Sequence, residues 1–413
     1  MRTIKVLALL VALAIAVQTV GIAPVQAQGG KVIKIASQSP LSGGQSVLGV
    51  GLRNGTELAI NQLKKPIEDM GFKVEFVPFD DQAKPDVGVA NAQNIVNDAA
   101  ILAVIGHFNS GVAIPSSEVY TKSDLVMVSP ANTNIKVTDR GLPTVNRVCG
   151  RDDAQGAAGA SYAVKELKVK SVYVMHDKTA YGEGVATAFR DAIKGMGADV
   201  LGFEGTEEKS NFDAILTPIA AQSPDLIYFG GIYDQVGVFL KQARDKGIKS
   251  QFMGPDGWDS PDLAKLGGDA AVGAIYTSTA GPVSVYPEAK QLLADYKKTY
   301  NLDATPYVPE SYAATQIVVN AIQSVLKANG GKMPTRKEIS DAVRATKDFK
   351  TVAGTISFDG HGDPVNAAYY VLKATSADPA KWSDNPVLQT TTAPSPLTAK
   401  AMMSATMAAT AAK

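Results

Sequence analysis

VIGHFNSGV, residues 104–112, runs from a β-branched apolar stretch straight into a loop of glycine, histidine, asparagine and serine. A buried strand that stops at small polar residues marks the ligand-facing end of an α/β sheet. A loop of this shape can hold an anion against backbone N–H groups where a helix begins. Its residues alone leave open whether that anion is a phosphate, a reacting group or a small carboxylate.

The same pattern recurs along the chain. Strands are expected from Lys31 (KVIKIA), Lys73 (KVEFVPF), Ile101 (ILAVIG) and Leu125 (LVMVSP). They resume at Ser171 (SVYVMH), Ala198 (ADVLGFE), Leu226 (LIYFGG), Ser250 (SQFMGP) and Ala274 (AIYTST). Helical stripes lie between them: Phe212, Ile215, Leu216 and Ile219 after a cap at Ser210 or Asn211, and Val236, Phe239, Leu240 and Ala243 before Gly247. Strands alternating with helices at this spacing predict parallel α/β sheets. Lys73, Ile101 and Leu125 are spaced 28 and 24 residues apart, as are Ala198, Leu226 and Ser250. Such duplication predicts two similar doubly wound lobes.

Both ends stand apart from this pattern. Arg2 and Lys5 precede the apolar run Val6 to Val17, and Val25-Gln26-Ala27 is a small-residue cleavage pattern. Residues 1–27 therefore read as a secretory signal peptide, since a membrane span needs about 20 apolar residues. Without Arg2 and Lys5, 38 basic residues face 40 acidic ones, so neither nucleic acid nor an anionic membrane is the expected partner. The single cysteine, Cys149, has no partner for an internal disulfide. From Pro386 the chain reads PVLQTTTAPSPLTAKAMMSATMAATAAK, too poor in large apolar residues to predict stable structure, with a helix from Ala399 as the alternative.

In an open parallel sheet, ligands bind beyond the carboxyl ends of the strands. Those ends read GHFNSG (106–111), SPANT (129–133), HDKTAYGEG (176–184), GGIYDQ (230–235) and GPDGWD (254–259). Two facing lobes would bring all five to one cleft. Ser110 and Thr133 are candidate anion donors, with the amide Asn132 beside them, or are simply caps of the following helices. Asp256, with no basic neighbour in sequence, can receive a buried ammonium or cap a turn. Tyr181 and Tyr233 can wall the cleft through an apolar ring and a polar tip, or belong to the core.

Catalytic readings find less support. His107, His176 and His361 lack metal-ligand spacing, so no metal is expected. There is no G-x-S-x-G elbow and no P-loop motif. In GVGLRNG (49–55) the third glycine falls one residue late for a dinucleotide fingerprint, and no cofactor is expected.

Six segments together carry a resemblance: FDDQAKPDVGVANAQNIVND, VIGHFNSGVAIPSSEVY, VMVSPANT, HDKTAYGEG, DLIYFGGIYDQVGVFLKQAR and QFMGPDGW. In this order the chain resembles the periplasmic branched-chain amino-acid binding proteins of ABC importers, from about Lys31 to Lys373. The resemblance implies a type I periplasmic binding protein fold of two lobes joined by three hinge crossings, near Val148–Asp152, Thr277–Gly281 and Thr355–Asp359. Residues 31–150 and 280–356 would form lobe 1, and 151–279 and 357–378 lobe 2, leaving 379–413 as a low-complexity tail. It also implies that Ser110 and Thr133, with backbone near Phe108 and Asn109, bind the ligand carboxylate. The Ala131 carbonyl, Thr133 and Asp256 would hold the ammonium, Tyr181 would close from lobe 2, and Tyr307 would line the side-chain pocket. The chain departs from the family where glutamate usually stands at Asp256 and an aromatic at Leu48. Ile232 replaces a frequent tyrosine, with Tyr233 one place later, and a cysteine pair of some relatives is absent at Ala83 and Asn109.

The expected function is capture of a branched-chain or similar small amino acid by an exported, soluble, monomeric protein that delivers it to a membrane permease. The alternatives are a ligand sensor of the same fold, or a binder of an amide, urea, GABA-like or aromatic carboxylate solute. An enzyme on this scaffold would need a nucleophile–base pair, and the sequence offers none.

Overall fold

The fold is that of a computed structural model that describes residues 31–282 and 285–411, with side chains described to residue 404. The expected signal peptide, residues 1–27, lies outside the described residues.

The first sheet takes β1 (Lys31–Ser39), β2 (Phe72–Asp80), β3 (Ile101–Gly106), β4 (Val126–Ser129) and β5 (Val145–Arg147) in the order β2-β1-β3-β4-β5. The second takes β6 (Ser171–His176), β7 (Asp199–Gly205), β8 (Leu226–Gly230), β9 (Gln251–Gly254) and β10 (Ile275–Ser278) in the order β7-β6-β8-β9-β10. Counted within each sheet, the two orders are the same, which agrees with the duplicated spacing. The pairs β1–β3, β3–β4 and β4–β5 are parallel, as are β6–β7, β6–β8, β8–β9 and β9–β10. A separate hairpin joins β11 (Phe349–Thr351) to β12 (Gly354–Ile356).

Burial explains why the strands read as apolar runs rather than alternations. Every residue of β3 is buried. Leu102 and Ile105 join a core with Ile317, Val318 and Ile322, while Ile101 and Val104 join another with Ala92, Ile95 and Tyr120. Helices therefore cover both faces, the condition under which a parallel strand loses its polar side. In the second sheet, Ile227 and Phe229 of β8 enter one core and Leu226 and Tyr228 the other. Each such side chain contributes about 1.5–3 kcal/mol by leaving water. The helix Asp213–Gln222 begins one residue beyond the expected cap, with Phe212 at the N-cap and Asn211 accepting from the Asp213 amide. Gly247 ends the helix Tyr233–Asp245 through a positive φ of 83°, open to glycine at little cost.

The chain passes between the sheets three times. The first passage, Val148 to Arg151, links β5 to the helix Asp152–Lys165. The second leaves β10 at Ser278 and reaches the helix Lys290–Tyr300, which packs on the helix Ser46–Leu63 of the first lobe. The third lies later than the expected Thr355–Asp359: Thr355 is still within β12, and the second sheet is entered only at β13 (Asn366–Lys373).

The C-terminal stretch corrects the expectation that the chain from Pro386 lacks stable structure. Strand β14 (Val387–Pro394) pairs antiparallel with β13, which in turn pairs antiparallel with β10. The lobe 2 sheet thus extends past the expected boundary at 378. The Trp382 ring stacks on Tyr276 at 5.4 Å, and its Nε1 donates to Asp259 at 2.9 Å. A helix follows from Pro396 rather than Ala399, with Ser395 Oγ accepting from the Thr398 amide. Composition missed this because an edge ladder is held by backbone hydrogen bonds and β-branched threonines, and needs few large apolar side chains.

Ending the chain after Asn385 should leave a folded protein with a bare β13 edge. We expect the thermal midpoint to fall by at least about 3 °C and sedimentation velocity to detect self-association. An unchanged midpoint would show that β14 contributes nothing to stability.

Candidate functional site

The loops after β3 and β4 are built as one unit. Asn109 is the N-cap residue of the helix Ser110–Thr121, so Ser110 opens that helix where backbone N–H groups lack partners. Ser110 Oγ accepts from the Asn134 amide at 3.3 Å, tying the two loops together. Asn132 works within this unit: its Oδ1 accepts from the His107 amide at 3.0 Å and the Ser129 hydroxyl at 2.7 Å, and its Nδ2 donates to the Phe108 carbonyl at 2.8 Å. The expected ligand role of the Asn132 side chain gives way to a bracing one, because these partners all lie in the protein. Asn109 Nδ2 donates to Gln45 at 2.7 Å. Thr133 is fully buried, and its hydroxyl has no full hydrogen bond.

Arg147, at the end of β5, holds this unit from behind. Its guanidinium donates to the carbonyls of Asn132 at 2.8 Å and Asn134 at 3.0 Å. It also donates to Thr138 Oγ1 and, through Nε, to Asp363 Oδ1, both at 2.6 Å. Asp363 lies in the third crossing and accepts a further bond at 2.8 Å from Arg151 in the first. Burial alone would raise the Asp363 carboxyl, but the two guanidiniums outweigh it and hold it below its usual range.

The other wall comes from the second lobe. Asp256 opens a short 3-10 turn directly after β9 and is buried. It accepts from Gln155 Nε2 at 3.0 Å, Tyr181 OH at 2.7 Å and Tyr307 OH at 2.6 Å. Tyr181 stands in the first turn of the helix Ala180–Gly195 and also accepts from the Gly257 amide at 2.6 Å. Tyr307 precedes the helix Val308–Ala328, whose residues belong to the first lobe's core, so its bond to Asp256 spans the lobes. Its φ of 71° is a costly conformation for an aromatic residue, held by the surrounding contacts. Asn134 Nδ2 donates across the same divide to the Ala180 carbonyl at 2.5 Å.

Sequence reading missed Asp152 and Gln155. Both sit on the helix that follows the first crossing, and both are buried. Neither Asp152 oxygen has a full hydrogen bond. Burial pushes its carboxyl well above the usual range and the Asp256 charge pushes it further, while Thr133 and Arg147 pull it down. Burial likewise raises Asp256, against the hydrogen bonds from Tyr307, Tyr181 and Gln155. The charge of Asp256 thus reaches Asp152, and Arg147 offsets it only in part. The tandem acids Asp152-Asp153 at a helix start were the available signal, and they read as ordinary helix-dipole residues.

Apolar groups complete the enclosure. Leu48, Phe108, Ala131, Tyr181, Tyr233, Trp258 and Tyr307 belong to one buried cluster shared by the lobes. Phe108 and Tyr307 meet edge to face at 6.1 Å. Tyr233 begins its helix and is fully buried, with a phenol that has no full hydrogen bond. The site therefore combines a helix start and a hydroxyl on one lobe, two buried acids on the other, and apolar walls between.

Comparison with known proteins agrees with this architecture. A family model described as periplasmic binding protein matches residues 32–379. A Leu/Ile/Val-binding protein homologue of Brucella abortus is 33% identical over 358 residues, 86% of this chain and 94% of that protein. A Leu/Ile/Val-binding protein of Rhizobium johnstonii is 31% identical over 342 residues, 83% of this chain and 91% of its own. The crystal structure of a leucine-binding protein from Thermotoga maritima superposes with a TM-score of 0.77 at 27% identity, covering 87% of this chain and 98% of that one.

Arg147→Met should cost about 3–5 kcal/mol in urea unfolding, because it leaves Asp363 buried with half its counter-charge and removes the charged donor from the Asn132 and Asn134 carbonyls. A loss under 1 kcal/mol would remove Arg147 from its bracing role. A second expectation concerns pH. Burial raises Asp259 to about 6 and Glu310 to about 7, in the same direction as Asp152 and Asp256. Each binds its proton more tightly in the fold than in the unfolded chain. The resulting stability is full below the unfolded values near 4 and is lost as pH rises through the folded values. The thermal midpoint of the unliganded protein should therefore fall between pH 5 and pH 8, and a rise over that range would contradict the buried-acid arrangement. Asp363, shifted the other way, loses its contribution only on stronger acidification.

Proposed function

The chain belongs to the periplasmic binding protein family, and from that premise we propose that it captures a branched-chain or similar small amino acid between its lobes and delivers it to the permease of an ABC importer. The observation that carries this reading is the buried pair Asp152 and Asp256 opposite the helix start at Ser110. A free α-amino acid matches both ends. Its ammonium would supply the charge that the acids lack, and its carboxylate would take the unpartnered N–H groups. Each charge-assisted hydrogen bond is worth about 1.5–3 kcal/mol net.

In this reading Ser110 and Thr133, with backbone at Phe108 and Asn109, receive the carboxylate. The Ala131 carbonyl, Thr133, Asp256 and Asp152 receive the ammonium. Tyr181 and Tyr233 close from the second lobe, while Leu48, Phe108 and Tyr307 bound a side-chain pocket suited to an aliphatic group. Burial keeps the Tyr181 and Tyr307 phenols protonated, and Asp256 reinforces it, so both remain donors that orient Asp256. The names of the relatives from Brucella and Rhizobium and of the Thermotoga protein support this ligand class.

The work is binding and release, with no bond made or broken. Ligand contacts on both lobes favour the closed arrangement, and opening at the three crossings releases the solute. The protein would act as an exported monomer in the periplasm. Among the described residues no helix is long and apolar enough to cross a membrane.

Isothermal titration with leucine, isoleucine and valine, set against leucinamide, urea and benzoate, tests the proposal. At least one aliphatic amino acid should bind most tightly, and exclusive binding of urea or benzoate would overturn it. Asp256→Asn should weaken that amino acid about tenfold or more with the fold intact. Ser110→Ala should weaken the acid more than its amide; equal losses would contradict the carboxylate assignment.

A further inference from the structure

Behind the Ser110 loop lies a buried polar cluster to which the preceding reading gives no task. His107 and Asp81 are both fully buried. His107 Nδ1 stands 3.6 Å from Asp81 Oδ2, and neither atom has a hydrogen-bond partner elsewhere among the described residues. The other ring nitrogen, Nε2, lies 3.3 Å from the Tyr120 hydroxyl. That hydroxyl is also 3.4 Å from Gln38 Oε1, and Gln38 Nε2 donates to the Gly88 carbonyl at 3.0 Å. Burial, reinforced by Asp81, keeps the Tyr120 phenol protonated and able to donate. The Tyr120 hydroxyl donates to Gln38 Oε1, so each ring nitrogen of His107 has one polar neighbour, Tyr120 at Nε2 and Asp81 at Nδ1.

The backbone of the same residue carries the ligand loop. The His107 amide donates to Asn132 at 3.0 Å, and its carbonyl accepts from Ser129 Oγ at 3.4 Å. The next residue, Phe108, gives its carbonyl to Asn132 Nδ2, and Ser110 follows two residues later. Asp81 is itself held in place: its amide donates to the Ser39 carbonyl at 3.2 Å and its Oδ1 accepts from the Ala83 amide at 3.0 Å. The ring of His107 therefore connects the ends of β1 and β2 to the loop after β3. None of these bonds reaches the cleft itself.

We propose that His107, paired with Asp81, is a positioning residue for the amino-acid carboxylate: it fixes the loop carrying Phe108, Asn109 and Ser110 without touching the ligand. This rests on the amino-acid reading above. A misplaced loop would leave the fold standing but aim the Ser110 hydroxyl and its neighbouring N–H groups away from the anion. The effect therefore runs through Ser110.

Leucine titrations of the full protein and its variants test this. His107→Leu and the isosteric Asp81→Asn should each weaken leucine about tenfold, and the double variant should be no weaker than the weaker single one. His107→Asn, whose amide can take the Nδ1 position, should stay within about threefold of the parent. On a Ser110→Ala background, Asp81→Asn should cost less than about threefold. Unchanged leucine affinity in Asp81→Asn and His107→Leu, with Ser110→Ala still losing affinity, would overturn the positioning role and leave the amino-acid reading intact. An equal Asp81→Asn loss on both backgrounds, with a matching fall in thermal midpoint, would make the cluster a general structural element and also overturn it. A parent protein that binds no amino acid would overturn the underlying reading and this proposal together.

Discussion

The Arg147 guanidinium holds together parts of the molecule that no sheet connects. Buried at the end of β5, it takes two carbonyls from the loop behind Thr133, the hydroxyl of Thr138 and the carboxylate of Asp363 in the third crossing. Only a planar fork with several fixed donors can satisfy such a set, and a lysine could not span it. Arg151 reaches the same carboxylate from the first crossing. The ligand-side loops and two of the three passages between lobes thus share one buried ion cluster. The crossings are therefore bonded through Arg147 to the loop around Thr133.

The cleft itself carries the opposite electrostatic condition. Asp363 is matched by two guanidiniums, whereas Asp256 has only neutral donors and Asp152 has no full hydrogen bond and the charge of Asp256 acting on it. A closed site of that kind is costly without a cation, since buried carboxylates resist ionisation. The Tyr307–Asp256 bond across the lobes and the apolar cluster around Leu48 and Phe108 offset part of this cost. In the proposed function an ammonium entering the site would remove the rest. On that proposal closure and ligand chemistry would be the same energetic event, with the Arg147–Asp363 cluster as the frame in which it occurs.

Reading the residues in order recovered the regular parts of this design. Apolar runs such as ILAVIG and LIYFG mark strands covered on both faces, and their 28- and 24-residue spacing anticipated the repeated strand order. Ser110, Thr133 and Asp256 stood out because they follow such strands directly. Strand β5 was missed because three residues are too few to show a period, and β14 because its threonine-rich composition resembles a disordered tail. Asp152 escaped notice because an acid in the first helical turn has an ordinary explanation there. Its shifted carboxyl reflects burial first, then the charge of Asp256 about a hundred residues away, opposed by Thr133 from the other lobe. Asn132 was placed with the ligand groups on the strength of its loop, but its hydrogen bonds turn it inward.

What the sequence by itself determined is local: strands, helices, the loops between them, and the duplication that makes two lobes of one pattern. These follow from periodicity and turn chemistry, which act over a few residues at a time. The tertiary structure alone decided which side chains share a space. It brought Asp152 to Asp256, Tyr307 across to the second lobe, His107 onto Asp81, and Arg147 onto Asp363. Each of these is a pairing of buried polar groups far apart in the chain. Burial is what gives them their strength, and burial is a property of the assembled fold rather than of any segment within it.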